Sequence, residues 1–344
     1  MKFALLFGAQ SYEHEISIVS AIALKNHLKM DLVYIFCDEN RDFYQIDDKN
    51  MRANYFKALE FKKLKPLTLK KGGFFRQGLL NESRLEFDVC INLVHGRDGE
   101  DGKIAALLDF FGVSYIGPRL EPSVLSYSKL YTKYLAKVAG VKTLPFETIT
   151  KKSDVTLNYP IIIKPTHLGS SLGIAVAIDK TALDYAKDSA FEYDDSAIVE
   201  PFIKGVKEYN LAGCKVADEF IFSIIEEPKK ETKDGILSFK EKYLLFSGEQ
   251  KSQEAPIDEN IKAKIKEAFS QIYNCGFDGA IIRCDFFVIN DEVYINEINP
   301  NPGSLAYYLF DNFRSVLEKL ALNLPKEKPI SIKYSYLDSI SSHK

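Results

Sequence analysis

No stretch of this chain approaches the ~18 consecutive apolar residues that a membrane-spanning helix needs, so no bilayer span is expected. The apolar opening Lys2-Phe3-Ala4-Leu5-Leu6-Phe7 is too short for a secretory leader and meets polar Gln10-Ser11 at once, so none is expected there. Cysteine is sparse. Cys37, Cys90, Cys214, Cys275 and Cys284 show neither paired nor zinc-like spacing and sit among apolar residues. They read as reduced core residues of a cytoplasmic protein, which argues against a disulfide framework or a structural zinc. An excess of one charge is also missing: a net charge of −3 and a pI near 6.1 give no push toward nucleic acid or an anionic membrane. No internal repeat or low-complexity tract occurs, and neither G-x-G-x-x-G nor a P-loop is found where a nucleotide fingerprint would sit.

What remains fits an enzyme of two or three domains, since 344 residues suffice for several separate cores. Residues 1–119 alternate strand and helix: strands Phe3 to Phe7, Leu32 to Cys37, Phe87 to Val94 and Ser114 to Ile116, with helices Ile16 to Lys29 and Lys103 to Phe111. The first helix places Ile16, Val19, Ala23 and Leu28 roughly on one face. The order predicts a doubly wound parallel α/β sheet, whose ligands bind beyond the carboxyl ends of the strands. Two loops lie there, residues 8–15 and 95–102. The Lys-rich run Lys57 to Lys71 reads as a solvated strand pair. Gly117-Pro118 marks a boundary, and a central unit (120–205) follows with helix Ser126 to Gly140 and strands Ile161 to Pro165, Ile174 to Ile178 and Ala197 to Ile203. A third unit (206–325) carries a helix from Pro256 to Cys275, and residues 326–344 form a tail whose Ile-Ser-Ile-Lys-Tyr-Ser-Tyr alternation suggests a peripheral strand.

The segment Ile281 to Asn299 is the richest in chemistry. Two β-branched runs flank an Asn-Asp-Glu turn, which predicts a β-hairpin. A three-residue loop, Asn290 to Glu292, pairs Ile289 with Val293, Phe287 with Ile295, Asp285 with Glu297 and Arg283 with Asn299 on one sheet face. Opposed carboxylates repel unless a cation sits between them, so the open end suits hard divalent ions, with Glu297 bridging two metals and Asp285 and Asn299 completing one each. The same residues also suit a solvated edge hairpin with an Arg–Asp pair. A two-residue loop at Asn290-Asp291 would instead turn the two carboxylates to opposite faces.

Upstream, Lys164 enters the small-residue loop His167 to Gly173, where Gly and Ser let backbone amides approach phosphate oxygens. A ligand-free hairpin turn is the alternative. The long charged stretch Glu226 to Pro256 reads as a lid with Phe239 to Tyr243 at its tip. His95 is read as packing an interdomain wall, and Glu100 and Asp101 as acids favoured at a helix N-terminus.

Taken together, these pieces resemble the ATP-grasp superfamily. Glu13-His14-Glu15-Ile16-Ser17, His95-Gly96 with Gly99-Glu100-Asp101-Gly102, Lys164-Pro165 with Gly169-Ser170-Ser171 and Gly173, Lys242-Tyr243, and Asn296-Glu297-Ile298-Asn299 with Pro302-Gly303 are similar, in that order, to the D-alanine–D-alanine ligases. The likeness runs from about residue 3 to 320 and implies an N-terminal substrate domain followed by an α+β ATP-grasp fold. It implies ATP-dependent joining of two D-alanines through an acyl phosphate, for peptidoglycan precursors. By resemblance, Lys129 and Lys164 contact phosphates, with Ser171 and Lys242 beside them. Glu200, Phe202 and Glu208 hold adenine and ribose. Asp285, Glu297 and Asn299 hold two magnesium ions, or manganese in their place. Glu13 takes the first substrate's ammonium, and Arg283 with the Gly303 amide stabilises the tetrahedral intermediate. Ser170 and Tyr243 join Glu13 in closing flap and lid. Arg283, Lys242, Ser304 and Leu305 also face substrate.

The resemblance further implies D-alanine and ATP as the partners, with neither nucleic acid nor membrane, and a cytoplasmic homodimer. Two departures stand out: Ser304-Leu305 follows Gly303 at once, leaving Tyr307 and Tyr308 close by, and Pro118-Arg119 and Glu121-Pro122 replace smaller residues. Another ATP-grasp carboxylate–amine ligase, a D-alanine–D-lactate ligase or a non-catalytic ATP-binding protein remain alternatives. Tyr243 argues against the depsipeptide enzyme, and an intact Arg283 and metal set argue against the last.

Overall fold

The computed structural model describes residues 1–78, 81–228 and 252–341. Its N-terminal part contains β1 (Phe3–Gly8), α1 (His14–Leu28), β2 (Leu32–Cys37), β3 (Phe43–Ile46), α2 (Ala53–Lys57), β4 (Thr68–Lys70), β5 (Gly73–Gln77), β6 (Glu82–Arg84), β7 (Val89–Asn92), α3 (Lys103–Phe110) and β8 (Tyr115–Ile116). The main sheet runs β3-β2-β1-β7-β8. All its pairs are parallel except that of the edge strand β3 with β2. Every residue of β1, β2 and β7 is buried, as expected of strands covered on both faces. Phe3, Leu5 and Phe7 pack with Ile18, Ala21, Leu24 and Leu28 of α1, while Ala4 and Leu6 pack with Ile104, Ala105 and Leu108 of α3 on the other face. The chain leaves β1 toward β2 on one side and β7 lies on the other, so a crevice opens beyond Gly8 and Asn92, where the two expected loops emerge.

Two local expectations in this region are corrected. The Lys57–Lys71 run is not a strand pair: a 3₁₀ turn spans Glu60–Lys63, and only Thr68–Lys70 is a strand. The cause is Phe61, which is buried with its ring 4.7 Å from that of Phe36 and 5.4 Å from that of Tyr44, so the run folds inward around one aromatic anchor. On α1 the buried set is Ile16, Ile18, Ala21, Leu24 and Leu28 together with Ser17 and Ser20, whereas Val19 and Ala23 are only half-buried. The helix is covered by the sheet on one side and by the Gly303–Leu309 turn on another, so no single stripe describes it.

Helix Ser126 to Gly140 is broken in two. α4 (Leu120–Tyr127) stops at Ser128, whose extended backbone caps α5 (Lys129–Ala139), its hydroxyl accepting from the Tyr131 amide at 3.3 Å. The second sheet contains β9 (Glu147–Ile149), β10 (Ile161–Pro165), β11 (Ala175–Ala177) and β12 (Ala197–Pro201) in the order β11-β10-β12-β9, all antiparallel. One face of it, Ile161, Ile163, Ala175, Ala177, Ala197 and Val199, packs on Ala186 and Ala190 of α6 (Leu183–Phe191). Alternation leaves Lys164 and Glu200 on the opposite face.

The third sheet contains β13 (Lys207–Val216), β14 (Glu219–Glu226), β15 (Ile282–Ile289) and β16 (Glu292–Asn299) in the order β14-β13-β15-β16. Its apolar face (Tyr209, Leu211, Cys284, Phe286, Ile295, Ile298) is covered by α7 (Glu259–Tyr273) and α8 (Phe313–Leu322) through Ile265, Phe269, Ile272, Phe313 and Leu317. Its polar face turns toward that of the second sheet: Lys164 Nζ donates to Asn296 Oδ1 at 3.1 Å across the gap. The tail's expected strand does not form: residues 330–334 have no regular structure, and a short helix, α9 (Ser335–Ser341), begins after them. Ile330, Ile332, Tyr334 and Tyr336 are exposed, and an alternating segment with no sheet edge beside it has nothing to pair with.

The hairpin β15–β16 turns on two residues, Asn290 and Asp291, both in the left-handed region at φ of 49° and 60°. Asp291 has to hold that backbone against the Cβ clash of an L-residue, so Asp291→Gly is expected to stabilise the protein by on the order of 1 kcal/mol. Urea unfolding measures this, and a loss of stability would mean the Asp291 side chain contributes more than its backbone strain costs.

Among the described residues no helix is long and apolar enough to cross a membrane. All five cysteines are free; Cys275 is half-buried and the others are buried.

Candidate active site

Glu13 closes the loop after β1 and is buried. A Cβ on Gly96 would lie 2.5 Å from one of its carboxylate oxygens, and a Cβ on Gly169 would lie 3.2 Å from the other, so two loops need glycine for this side chain to fit. Ser170 donates a short hydrogen bond to Glu13 Oε1, joining the flap to the first domain. Ser170 and Ser171 hold the flap with φ of 55° and 59°. Burial, reinforced by the charge of Glu100, pushes the Glu13 carboxyl up to about 7, although Ser170 and His95 pull the other way. The pocket therefore strains against an unpaired anion and favours a cationic occupant.

This shift has a measurable consequence. A carboxyl raised from 4.5 to about 7 contributes stability that is full below pH 4.5 and is lost as pH rises to 7. Wild type is expected to lose on the order of 2 kcal/mol more stability between pH 5 and pH 8 than Glu13→Gln does. Denaturation midpoints at the two pH values test this; parallel curves for the two proteins would remove the shift.

The polar face of the second sheet holds a buried triad. Lys164 Nζ donates to Glu200 Oε2 at 2.7 Å, and Lys133 on α5 makes an ion pair with Glu200 Oε1. Burial works against the Glu200 anion, yet Lys164 and Lys133 hold its carboxyl at about 2. Burial pushes the Lys133 ammonium down; the Lys164 ammonium is up despite burial, because Glu200 faces it. Lys129 begins α5, donates to the Leu168 carbonyl of the flap and lies 3.7 Å from Glu297 Oε1. Three lysines thus gather beside Glu200 and Glu297, a set of cations suited to an anionic ligand. Phe202 is half-buried, its amide donating to the Pro160 carbonyl at 2.9 Å, and Glu208 stands on β13 opposite Phe287.

At the hairpin the structure corrects the path but keeps the end. The loop has two residues, so Ile289 pairs with Glu292 and Phe287 with Tyr294, not with Val293 and Ile295. One extra residue on β16, Asn296, then bulges between Asp285 and Phe286 and restores the expected pairs Asp285–Glu297 and Arg283–Asn299. Arg283 grips Asp285 with two hydrogen bonds of 2.7 and 2.9 Å, and the Asn299 amide nitrogen donates to Asp285 Oδ2 at 3.0 Å. The Arg–Asp pair is therefore present on the same face as the second carboxylate. Asp285, Glu297 and Asn299 offer hard oxygen donors suited to magnesium or manganese, and Asn210 Oδ1, in the same cross-strand row, is buried without a hydrogen-bond partner among the described residues. That donor set fits a divalent ion once the Asn299 amide turns its oxygen inward. It contains only two carboxylates, in keeping with the absence, among the described residues, of any group of three acidic, His or Cys ligands.

Gly303 opens a turn in which Ser304, Leu305 and Ala306 all adopt φ near 50°. The Ser304 amide donates to Ser20 Oγ at 3.1 Å, and that hydroxyl shares a hydrogen bond of 2.9 Å with His95 Nε2. His95 Nδ1 donates to the Asn301 carbonyl at 2.8 Å, so the ring packs the domain wall as expected. Ser304 Oγ and Asn301 Oδ1, beside Gly303, are buried without partners among the described residues. Tyr308 does come close to Arg283: burial pushes its phenol up, and the guanidinium opposes that. Arg119, at the other departure, stacks 3.8 Å over the Tyr115 ring.

Lys242 and Tyr243 lie outside the described residues. Contacts join Glu13 to Ser170, Lys129 to Glu297, Lys164 to Glu200 and Asn296, and Arg283 and Asn299 to Asp285. Lys133, Asn296, Ser20 and Asn301 were not anticipated. For Lys133 a signal existed, because it follows Lys129 by one helical turn and shares its face.

Two antiparallel sheets closing polar faces on a lysine-lined cleft, behind a doubly wound domain, define an ATP-grasp ligase fold. A family model described as the D-ala D-ala ligase N-terminus matches residues 2–118, and one described as its C-terminus matches residues 135–315. The chain is 60% identical over 344 residues to the D-alanine–D-alanine ligase of Campylobacter concisus, covering all of this chain and 99% of that protein. It is 54% identical over 346 residues to that of Campylobacter jejuni subsp. jejuni serotype O:2, with the same coverage. Among solved structures, the D-Alanine-D-Alanine Ligase from Helicobacter pylori superposes with a TM-score of 0.85 at 49% identity, covering 95% of this chain and 100% of that one. The VanG D-Ala:D-Ser ligase from Enterococcus faecalis follows at 0.73 and 26%, covering 93% and 98%. The chain belongs to the D-alanine–D-alanine ligase family.

Proposed function

We propose that this protein joins two D-alanines at the expense of ATP, releasing ADP, phosphate and D-alanyl-D-alanine for peptidoglycan precursors. The observation that carries the reading is the cleft itself: lysines of α5 and β10 face the Asp285–Glu297 carboxylates of the third sheet, and the buried Glu13 is joined to the flap through Ser170. Glu13 takes the ammonium of the first D-alanine, which relieves its unpaired burial. Lys129 and Lys164 take phosphate oxygens, with Ser171 and Lys242 beside them, and Glu200, Phe202 and Glu208 line the adenosine end. The first carboxylate attacks the γ-phosphate, and the second amino group attacks the resulting acyl phosphate. Positioning and charge neutralisation supply most of the rate in such a transfer. Asp285, Glu297 and Asn299 would hold two magnesium ions, which when bound neutralise charge on the transferred phosphoryl group. Arg283 and the Gly303 amide donate to the oxyanion of the tetrahedral intermediate. Ser304 and Leu305 receive the second substrate, and Ser170 with Tyr243 ties flap and lid to Glu13. A cytoplasmic homodimer belongs to the same reading and rests on the family likeness; sedimentation tests the dimer.

The deciding experiment incubates the protein with ATP and magnesium and either D-alanine alone or D-alanine with D-lactate, and weighs the products. The expected product in both arms is chiefly the dipeptide. A dominant depsipeptide would reassign the second substrate, and no ATP-dependent product would overturn the reading.

A further inference from the structure

Glu200 is shared. Lys164 and Lys133 approach its two oxygens from different elements, and all three side chains are nine-tenths buried or more. Lys164 has a second partner, Asn296 Oδ1 at 3.1 Å on the facing sheet. Lys133 has no second partner of this kind: Glu200 is its only ion-pair partner among the described residues, and its Nζ is fully buried. The cavity beside it, about 350 Å³, is lined by Tyr134, Lys137, Lys142, Val141 and Phe146 and by no acid. An ammonium kept this dry with one carboxylate at ion-pair distance is costly unless the charge is used.

The geometry points to Lys133 as a positioning residue that keeps Glu200 compensated when Lys164 leaves it for a nucleotide phosphate. The inference rests on the reading of Lys164 given above. Without Lys133, a buried Glu200 anion would have Lys164 as its only cation, and each phosphate would compete with that pair. With Lys133 in place, Lys164 moves without stranding a buried charge. Lys133 itself touches neither phosphate nor substrate; it acts through Glu200.

Equilibrium binding of ATP and of adenosine to the full chain tests this in four variants. Lys133→Met is expected to weaken ATP on the order of tenfold more than adenosine, because Lys164 stays locked on Glu200. On the Glu200→Gln background no anion remains to compensate, so adding Lys133→Met should cost ATP under about twofold. That double variant leaves no buried charge from the Lys133–Glu200 pair, so it remains informative if the single variant fails to fold. A further tenfold loss of ATP in the double variant would overturn the inference, since Lys133 would then act on nucleotide directly. Equal losses of ATP and adenosine in Lys133→Met would also overturn it, reducing Lys133 to a packing role. Lys164→Met separates the two levels. Undiminished ATP affinity there removes the phosphate reading of Lys164, whereas weakened ATP with an unaffected Lys133→Met leaves that reading standing and removes only the inference.

Discussion

Arg283→Met is expected to cut turnover by on the order of 10²–10³, the loss of one oxyanion donor in a closed site being worth ~2.7–4 kcal/mol. ATP affinity should change little, because Arg283 lies at the open end of the hairpin and its partners are Asp285 and Tyr308, not the lysine cluster. Burial opposes the guanidinium charge and Asp285 more than restores it, so the donor stays charged throughout the working range. The substitution also leaves Asp285 facing Glu297 without its guanidinium, so the Asn299 amide on Asp285 and Lys129 beside Glu297 must soften the repulsion. Some stability should therefore be lost as well, and added magnesium should return part of it. Steady-state turnover at saturating substrates, with ATP binding and unfolding measured beside it, separates these effects. Near-normal turnover in a folded variant would take Arg283 out of the mechanism.

The hairpin shows both what could be read in advance and what could not. Alternation and the chemistry of opposed carboxylates correctly join Asp285 to Glu297 and Arg283 to Asn299, because those residues must share a face to be useful. The route between turn and open end was misread: two left-handed residues make the turn, and Asn296 supplies the missing residue as a bulge. Nothing within the hairpin announces that bulge. Its partner is Lys164, from another sheet and more than a hundred residues away, whose ammonium donates to the Asn296 side-chain oxygen. The break at Ser128 belongs to the same class, since a serine inside a helical pattern is unremarkable until its hydroxyl caps the next helix. Lys133 failed for a different reason. A lysine on an amphipathic helix is normally solvated, and only the arrival of Glu200 from β12 makes this one a buried ion. Local period and turn chemistry thus reveal elements, while the polar contents of the cleft are set by contacts between elements.

The same triad supports the largest stability effect. Glu200→Ala removes the one carboxylate that Lys133 and Lys164 share and leaves two buried ammoniums side by side, the former with no other ion-pair partner among the described residues. Removing one partner of a buried ion pair costs ~3–5 kcal/mol, a large part of the ~5–15 kcal/mol that holds a domain folded. The pH dependence identifies the cause. Burial already pushes the Lys133 ammonium down while Glu200 holds it up, so losing Glu200 drops it further. A base depressed in the folded state weakens folding most at pH values below its folded pKa, where it must carry a buried charge, and recovers as rising pH neutralises it. The deficit relative to wild type should therefore be largest near neutral pH and shrink by pH 9. Wild type should behave differently in acid, where the depressed Glu200 carboxyl contributes stability above 4.5 that is lost as pH falls toward about 2. Urea unfolding of both proteins at pH 7 and pH 9 decides the matter. A variant within about 1 kcal/mol of wild type at pH 7 would show that the lysines find water or other anions when Glu200 is gone. A deficit that widens toward pH 9 would show that the lost stability came from packing around Glu200, with the buried ammoniums playing no part.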